Sequence, residues 1–145
     1  NRQLATGFRL HYAVDTRVFD IMPSARGWRR VLEVFNNDYI RYLHTYRDAI
    51  VVLLLDFDQV ENRYSECVRC IPEELRTRVV VLGSKDNPEA LKKELKMPLE
   101  AIGTELAQDC FRDDLGRWGH PHLVHNCVEL QRIVSTVKPI LFASN

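Results

Sequence analysis

Two aspartates separated by one residue follow the most apolar segment of the chain. Residues 49–55 are alanine, isoleucine, valine and leucine only, and Asp56-Phe57-Asp58 comes directly after them. Because strand side chains alternate, we expect both carboxylates on one side, about 6–7 Å apart, with Phe57 turned to the core. Two like charges this close repel unless a cation neutralises them, and oxygen-rich pockets suit Mg²⁺ or Mn²⁺. The pattern therefore predicts a Mg²⁺ or Mn²⁺ site with Asp56 and Asp58 as ligands; the alternative is two solvated acids.

Small and basic residues before the first long helix are candidates for binding phosphate. Pro23 is followed by Ser24, which could cap the helix, and then by Arg26 and Gly27. Free backbone N–H groups and the helix dipole attract anions at such a position, and arginines add to the attraction. If the strands are parallel, this loop opens on the same edge of the sheet as the aspartates. We therefore predict phosphate binding by Ser24, Arg26 and Gly27; the alternative is a capped helix with arginines in solvent.

Arg63 is a further phosphate candidate. It follows Asp58 by five residues and falls on the next predicted helix, from which it could reach the same sheet edge. Its alternative role is a salt bridge to Asp58 or Glu61, which would contribute little stability at the surface.

Cysteines and histidines raise the question of a structural zinc site. The residues are Cys67, Cys70, His120, His122, His125 and Cys127. Two cysteines and two histidines could hold zinc tetrahedrally. However, the cysteine pair falls on a predicted helix without a glycine between its members, and the histidines divide between a loop and different helix faces. The sequence therefore does not favour structural Zn²⁺.

The charge balance and the lengths of the apolar runs argue against a dedicated nucleic-acid-binding protein and against a membrane-spanning one. The chain has 145 residues, of which 46% are hydrophobic, and its 20 basic residues balance its 20 acidic ones. A neutral chain is a poor autonomous nucleic-acid platform, because phosphate contacts dominate such affinity. The longest strongly apolar run, residues 50–55, is far shorter than the roughly 20 residues of a membrane span. We expect a cytoplasmic protein without a membrane segment, which binds nucleic acid weakly alone and acts with a protein partner or as a homo-oligomer.

The hydrophobic periodicity predicts a single α/β domain over residues 1–145. Short β-prone or continuous apolar runs indicate strands, and three- and four-residue spacing indicates helices. Predicted strands cover residues 18–22, 49–55 and 78–82, and predicted helices cover 2–13, 28–43, 60–70, 87–95, 97–110 and 123–137, with a terminal strand or cap at 140–142. The long helix at 28–43 is either continuous or broken near Asn36-Asn37. This order predicts a three-layer, mostly parallel sheet flanked by helices, with a helical C-terminal part.

The acid pair in this strand context resembles the Asp-x-Asp motif of the Toprim-like fold, which topoisomerases, primases and several phage-defence nucleases share. In that fold a Glu ends the first strand, and the Asp-x-Asp ends a later strand. The helix beginning near Trp28 and residues 78–89 look like the flanking elements of uncharacterised bacterial Toprim-like proteins. The resemblance covers residues 1–95 and implies a Toprim/Rossmann-like nuclease with Asp56 and Asp58 at the metal. It also implies that the Glu-bearing strand lies before Asn1.

The same motif resembles motif one of haloacid-dehalogenase-like phosphatases. That resemblance implies Asp56 as nucleophile and Asp58 as general acid/base, with Ser84 and Asp113-Asp114 in later motifs. The sequence departs from the pattern of that family in two ways. Residues 1–50 precede the strand that carries the acids, and no apolar strand precedes Asp113.

Three functional hypotheses follow. The first is a metal-dependent nuclease that cleaves phosphodiesters, and the second is the phosphatase. The third is a non-enzymatic interaction subunit with a degenerate site, motivated by the neutral charge and by the Glu that the sequence does not contain at the expected place.

Overall fold

Two parallel strands, β1 (Val51–Asp56) and β2 (Val79–Ser84), form the sheet in the computed structural model, which describes residues 1–142. Val51 lies opposite Val79, and Asp56 lies opposite Ser84. Both strands begin with a continuous run of valine and leucine. β2 is largely buried on both faces, whereas Val52 of β1 is exposed. The two strands predicted from these runs are confirmed, and the protein is mixed α/β.

Helices make up most of the remaining regular structure. They are α1 (Arg2–Arg9), α2 (Trp28–Val34), α3 (Ile40–Thr45), α4 (Arg63–Arg69), α5 (Pro88–Leu95), α6 (Leu99–Arg112) and α7 (Cys127–Leu141). A π-helical segment, Phe35–Tyr39, joins α2 to α3, so the helix predicted over 28–43 is interrupted where Asn36-Asn37 suggested. Asn87 caps α5 as predicted, because its side chain accepts a hydrogen bond from the Ala90 backbone N–H over 3.0 Å.

Two hydrophobic cores lie beside the sheet. Residues from α2, the π-helical segment, α3 and α4 cover the face that carries Leu53, Leu55, Val79 and Val81. A second core lies among α1, α5 and α6 and includes Leu82 of β2; its buried members are Leu4, Leu91, Leu99, Ile102, Leu106, Trp118 and Leu123. The other face of the sheet is covered unevenly, because Val80 of β2 is fully buried whereas Val52 of β1 is 43% exposed.

Two glycines allow α1 and α6 to cross at very short range. A Cβ atom on Gly7 would lie 1.8 Å from the carbonyl oxygen of Glu100, and one on Gly103 would lie 2.1 Å from that of Leu4. Thr104 strengthens the crossing, because its hydroxyl donates a hydrogen bond to the Gly7 carbonyl over 3.0 Å. This crossing holds the start of α1 against the second core.

The outer edge of β2 is closed by groups from the C-terminal part of the chain. Asn126 bonds both the N–H and the C=O of Gly83, and Glu129 accepts from the Val81 N–H. Arg132 donates to the Val79 carbonyl over 2.9 Å. These side chains replace the hydrogen bonds of a third strand along this edge.

The strand predicted over residues 18–22 is wrong. This segment has no regular secondary structure, and Val18 and Met22 are each about half exposed. Its aromatic residue packs on a helix instead, since the Phe19 ring stacks on Phe8 of α1 with centroids 5.9 Å apart. A β-prone run makes a strand only where a neighbouring strand edge accepts it.

The end of the chain also differs from expectation. Residues 140 and 141 continue α7 rather than forming a separate strand or cap, and residues 143–145 of the predicted domain lie outside the described part. No helix in residues 1–142 is both long enough and apolar enough to cross a membrane.

Candidate functional site

Asp56 ends β1 and contacts the first residue of the chain. The side-chain amide of Asn1 donates a hydrogen bond to Asp56 Oδ1 over 2.6 Å. Asn1 is the N-cap residue of α1, but its side chain bonds Asp56 instead of a backbone N–H of the helix. The glycine crossing holds α1 against α6. Ser84 lies opposite Asp56 in the parallel register, so their side chains share a face. The site thus draws on both strands and on α1.

Asp58 lies outside the strand and turns toward α4. The strand ends at Asp56, and both Asp58 and Gln59 have positive φ, at 46° and 59°. The expectation that alternation continues through Asp58 is therefore wrong, because the extended backbone on which it depends stops two residues earlier. Phe57 is buried in the core as expected. Asp58 pairs with Arg63, and its side chain remains 55% exposed.

Arg63 is buried and joins the two aspartates to α2. Its Nη1 donates to the backbone carbonyl of Asp56 over 2.8 Å and to the Asp58 carboxylate. Its guanidinium also lies 5.1 Å from the ring centroid of Trp28. The side chain therefore occupies the salt-bridge role that the sequence left open, and it stabilises the conformation of the loop after β1.

The loop before α2 reaches the same edge of the sheet through Trp28. Arg63 contacts both Trp28 and Asp58, so the start of α2 lies beside the loop after β1. Ser24, Arg26 and Gly27 are all exposed. Gly27, with φ 93°, is the N-cap residue, and Ser24 lies three residues before it. The expectation that Ser24 caps this helix is therefore wrong, because the helix starts only at Trp28.

The loop after β2 supplies residues that the sequence reasoning missed. Lys85 is exposed, and its backbone carbonyl accepts a hydrogen bond from the Gln59 N–H over 2.8 Å. Asp86 accepts from the Asn87 backbone N–H and, over 2.9 Å, from the Gln59 side chain, which together lower its pKa. The predicted parallel pairing could have indicated these residues, because residues that follow two parallel strands lie at the same edge of the sheet.

Histidines beside this edge interact with other partners. The rings of His120 and His122 stack with centroids 5.4 Å apart, and both contact Glu94, at 3.4 and 2.9 Å. His125 meets the Phe57 ring edge-on at 5.2 Å, and burial lowers its pKa.

The cysteines do not join these histidines. Cys67 is buried in the first core, where burial raises its pKa to about 11, and Cys70 is exposed at the end of the same helix. Within residues 1–142, no group of three or more histidine, cysteine or acidic side chains is placed to hold a metal ion.

The chemistry of the donors at Asp56 fits a hard cation. The two aspartates offer carboxylate oxygens, and Mg²⁺ in proteins is commonly held by one or two carboxylates with water and substrate phosphate completing the shell. Beside Asp56, two further oxygens, Ser84 Oγ and Asn1 Oδ1, are buried and lack a hydrogen-bond partner among the described residues. A buried oxygen that accepts no hydrogen bond can bind a cation or accept a hydrogen bond from a ligand.

The function of the chain is inferred from the residues at the edge where β1 and β2 end. The described edge offers one carboxylate from β1, a second from the loop after it, a hydroxyl from β2 and arginines near the start of α2. No protein-family model matches the chain, and no curated protein and no solved structure matches it either.

Proposed function

We propose that the chain is a Toprim-type domain that cleaves phosphodiesters of nucleic acid with the help of Mg²⁺ or Mn²⁺. The observation that carries the proposal is the position of Asp56, at the carboxyl end of β1 and beside the parallel end of β2. Ligands of open α/β sheets bind at this edge. The parallel pairing of the strands and the two hydrophobic cores beside them support the three-layer, Toprim/Rossmann-like arrangement that belongs to the same proposal.

Asp56 and Asp58 are the residues that would hold the cation. When bound there, Mg²⁺ or Mn²⁺ would activate water and stabilise the leaving oxygen of the phosphodiester. Arg63 positions this pair, because it bonds the backbone of Asp56 and the side chain of Asp58 together. Asn1 restricts the Asp56 carboxylate by donating to Oδ1.

Arginines at the start of α2 would contact the nucleic-acid backbone. Arg26 and Arg29 are exposed, and Arg29 lies over the Trp28 ring at 5.4 Å, next to Arg63. In the described part of the chain, Arg26 has no salt bridge that would compete with phosphate. The net charge of zero predicts weak binding by the domain alone, so a protein partner or a second copy would supply further basic surface.

Plasmid nicking tests the proposal. Supercoiled DNA is incubated with the protein in Mg²⁺, in Mn²⁺ and in a chelator, and single-stranded RNA serves as a second substrate. We expect metal-dependent cleavage that Asp56→Asn reduces by about 100-fold or more, since a bound metal contributes several kcal/mol to such a transition state. Asp48→Asn is the matched control, because Asp48 is exposed in the loop before β1.

Two results would contradict the proposal. Equal cleavage by the wild type and Asp56→Asn would assign the activity to another site or to a contaminant. Absence of cleavage together with absence of ion binding in calorimetry would favour the non-enzymatic interaction subunit, in which the Arg63 salt bridge simply neutralises Asp58.

One observation favours a phosphatase as the second candidate. Ser84 lies directly opposite Asp56, which is the neighbour that the haloacid-dehalogenase resemblance requires. Asp113 does not complete that pattern. Asp113 pairs with Lys138. The nearby Phe111 contacts Tyr12, which follows the C-terminal end of α1. Asn1 lies at the other end of this helix, about 12 Å away. Hydrolysis of a generic phosphomonoester, with an acyl-phosphate trapped on Asp56, would establish this activity.

A further inference from the structure

The hydroxyl of Ser84 is buried without a partner at the point where the two strands end. Ser84 is 1% exposed, and its Oγ makes no hydrogen bond within the described residues. Buried hydroxyls are normally paired, because an unpaired one loses its hydrogen bonds to water and gains none in return. The Ser84 hydroxyl is therefore available to bind a ligand.

The position of Ser84 relative to Asp56 indicates where that ligand lies. The two residues are Cα partners in the parallel register, so their side chains leave adjacent strands on the same face, with strand axes about 4.8 Å apart. Asn1 approaches the same carboxylate from α1, at 2.6 Å. Its other amide atom, Oδ1, is also buried and unpartnered in the described chain.

We propose that Asp56, Ser84 and Asn1 together form one binding site for a hard divalent cation, Mg²⁺ or Mn²⁺. The proposal deepens the proposed function, on which it rests, by assigning two cation ligands that carry no negative charge. All the atoms concerned are oxygens, as these cations prefer. Ser84 and Asn1 add oxygen ligands to the carboxylates of the proposed function without adding negative charge to the cation site.

Asn1 also explains how the site remains stable before the cation binds. Its amide donates to Asp56 in the present arrangement, while its carbonyl oxygen has no partner. Rotation of the amide about its own axis exchanges the two atoms and offers Oδ1 in place of the donor. Cation binding would thus replace the hydrogen bond between Asn1 and Asp56 by a bond between Asn1 Oδ1 and the cation.

Direct binding of Mn²⁺, followed by electron paramagnetic resonance without nucleic acid, tests the site. We expect the wild type to bind Mn²⁺, Asp56→Asn to bind none, and Ser84→Ala to bind about 10-fold more weakly. Ser65→Ala is the matched control, because the Ser65 hydroxyl bonds the Asn62 carbonyl on exposed α4. Equal Mn²⁺ affinity of the wild type and Ser84→Ala would overturn the proposal.

The variant is expected to fold, because Ser84→Ala removes an atom that has no partner. Thermal unfolding checks this: without metal, Ser84→Ala should melt at or above the wild-type temperature, and added Mn²⁺ should raise its Tm less than that of the wild type. An equal rise in Tm would contradict the proposal.

A change of ligand softness gives an independent test. Ser84→Cys should lose Mn²⁺ affinity and gain Cd²⁺ affinity relative to Ser65→Cys, since thiolates select soft metals. Equal Cd²⁺ affinity of these two variants would count against Ser84 as a ligand.

Failure of this proposal and failure of the proposed function are distinguishable. Mn²⁺ binding that depends on Ser84, without cleavage of DNA or RNA, would retain the site and refute the nuclease. Cleavage that depends on Asp56, with Mn²⁺ binding insensitive to Ser84→Ala, would retain the nuclease and refute this site.

Discussion

The carboxylate of Glu129 on α7 accepts a hydrogen bond from the backbone N–H of Val81 in β2, with 3.0 Å between the atoms. The same carboxylate accepts from the Tyr64 hydroxyl at 2.8 Å and from two nitrogens of Arg132. A single buried side chain therefore closes the edge of the sheet, contacts α4 and carries an ion pair. Its removal should affect stability more than an exposed salt bridge does.

Glu129→Gln tests that expectation. The substitution preserves the shape of the side chain but removes the charge that Arg132 contacts, so we expect the free energy of unfolding to fall by about 2 kcal/mol. Urea unfolding followed by circular dichroism measures it. Glu89→Gln is the control, because Glu89 pairs with Lys92 on the exposed face of α5. A loss no larger than that of the control would show that the Val81 hydrogen bond does not depend on the charge.

The same carboxylate should make stability depend on acid pH. Burial raises the pKa of Glu129, but hydrogen bonds from Arg132, Val81 and Tyr64 outweigh it, and the net pKa is lowered. A lowered carboxyl pKa contributes stability that is present above the unfolded-state pKa, near 4.5, and is lost as pH falls through the folded-state pKa. The difference in unfolding free energy between wild type and Glu129→Gln should therefore shrink in acid. A constant difference would contradict this.

Asn126 closes the next part of the edge of β2. Its side chain accepts from the Gly83 N–H at 2.9 Å and donates to the Gly83 carbonyl at 2.8 Å. Asn126→Ala leaves both buried backbone groups unpaired, so we expect a loss of about 2–3 kcal/mol in urea unfolding. Asn62→Ala, at an exposed residue whose side chain makes no cap hydrogen bond, should change stability little. Similar losses in both variants would indicate that water replaces Asn126 at the edge.

The elements that the sequence predicted correctly are those with a continuous apolar run or a recognisable helix cap. The apolar run at residues 49–55 predicted a strand, and Asn87-Pro88 predicted the start of α5; both elements are confirmed. The predicted cover on both faces of that strand is not found, because Val52 is 43% exposed. Residues 18–22 had the same local propensity but became irregular, because Phe19 packs on Phe8. Propensity is a local property, whereas strand formation needs a partner that lies elsewhere in the chain.

The candidate site was only partly predictable for the same reason. Asp56 is recognisable from the strand that precedes it, but the turn of Asp58 depends on two consecutive positive φ angles that no glycine signals. Asn1 and Ser84 lie far from Asp56 in sequence, and only Ser84 was suggested by a motif, that of the haloacid-dehalogenase resemblance. Only the register of β1 against β2 and the crossing of α1 with α6 bring them together.

The crossing of α1 and α6 should be intolerant of a single methyl group. A Cβ at position 103 would lie 2.1 Å from the Leu4 carbonyl oxygen, and a backbone atom cannot move aside as a side-chain end can. We expect Gly103→Ala to reduce the unfolding free energy by about 3 kcal/mol, the upper range for overpacking. Gly119→Ala is the control, since its Cβ would meet only the Leu115 side chain at 3.1 Å. Equal stability of the two variants would show that the helices can separate freely.

Substitution of Arg63 shows whether this residue has a structural role or binds phosphate at the candidate site. Because it is 9% exposed and bonds the backbone of Asp56, Arg63→Lys should lose the second hydrogen bond and the stacking on Trp28. We expect a loss of about 2 kcal/mol in urea unfolding and a change in the fluorescence of Trp28. Arg26→Ala, at an exposed residue, should leave stability unchanged while weakening nucleic-acid binding. If Arg63→Lys instead kept full stability and lost nucleic-acid binding, Arg63 would contact phosphate directly and its salt bridge to Asp58 would break on binding.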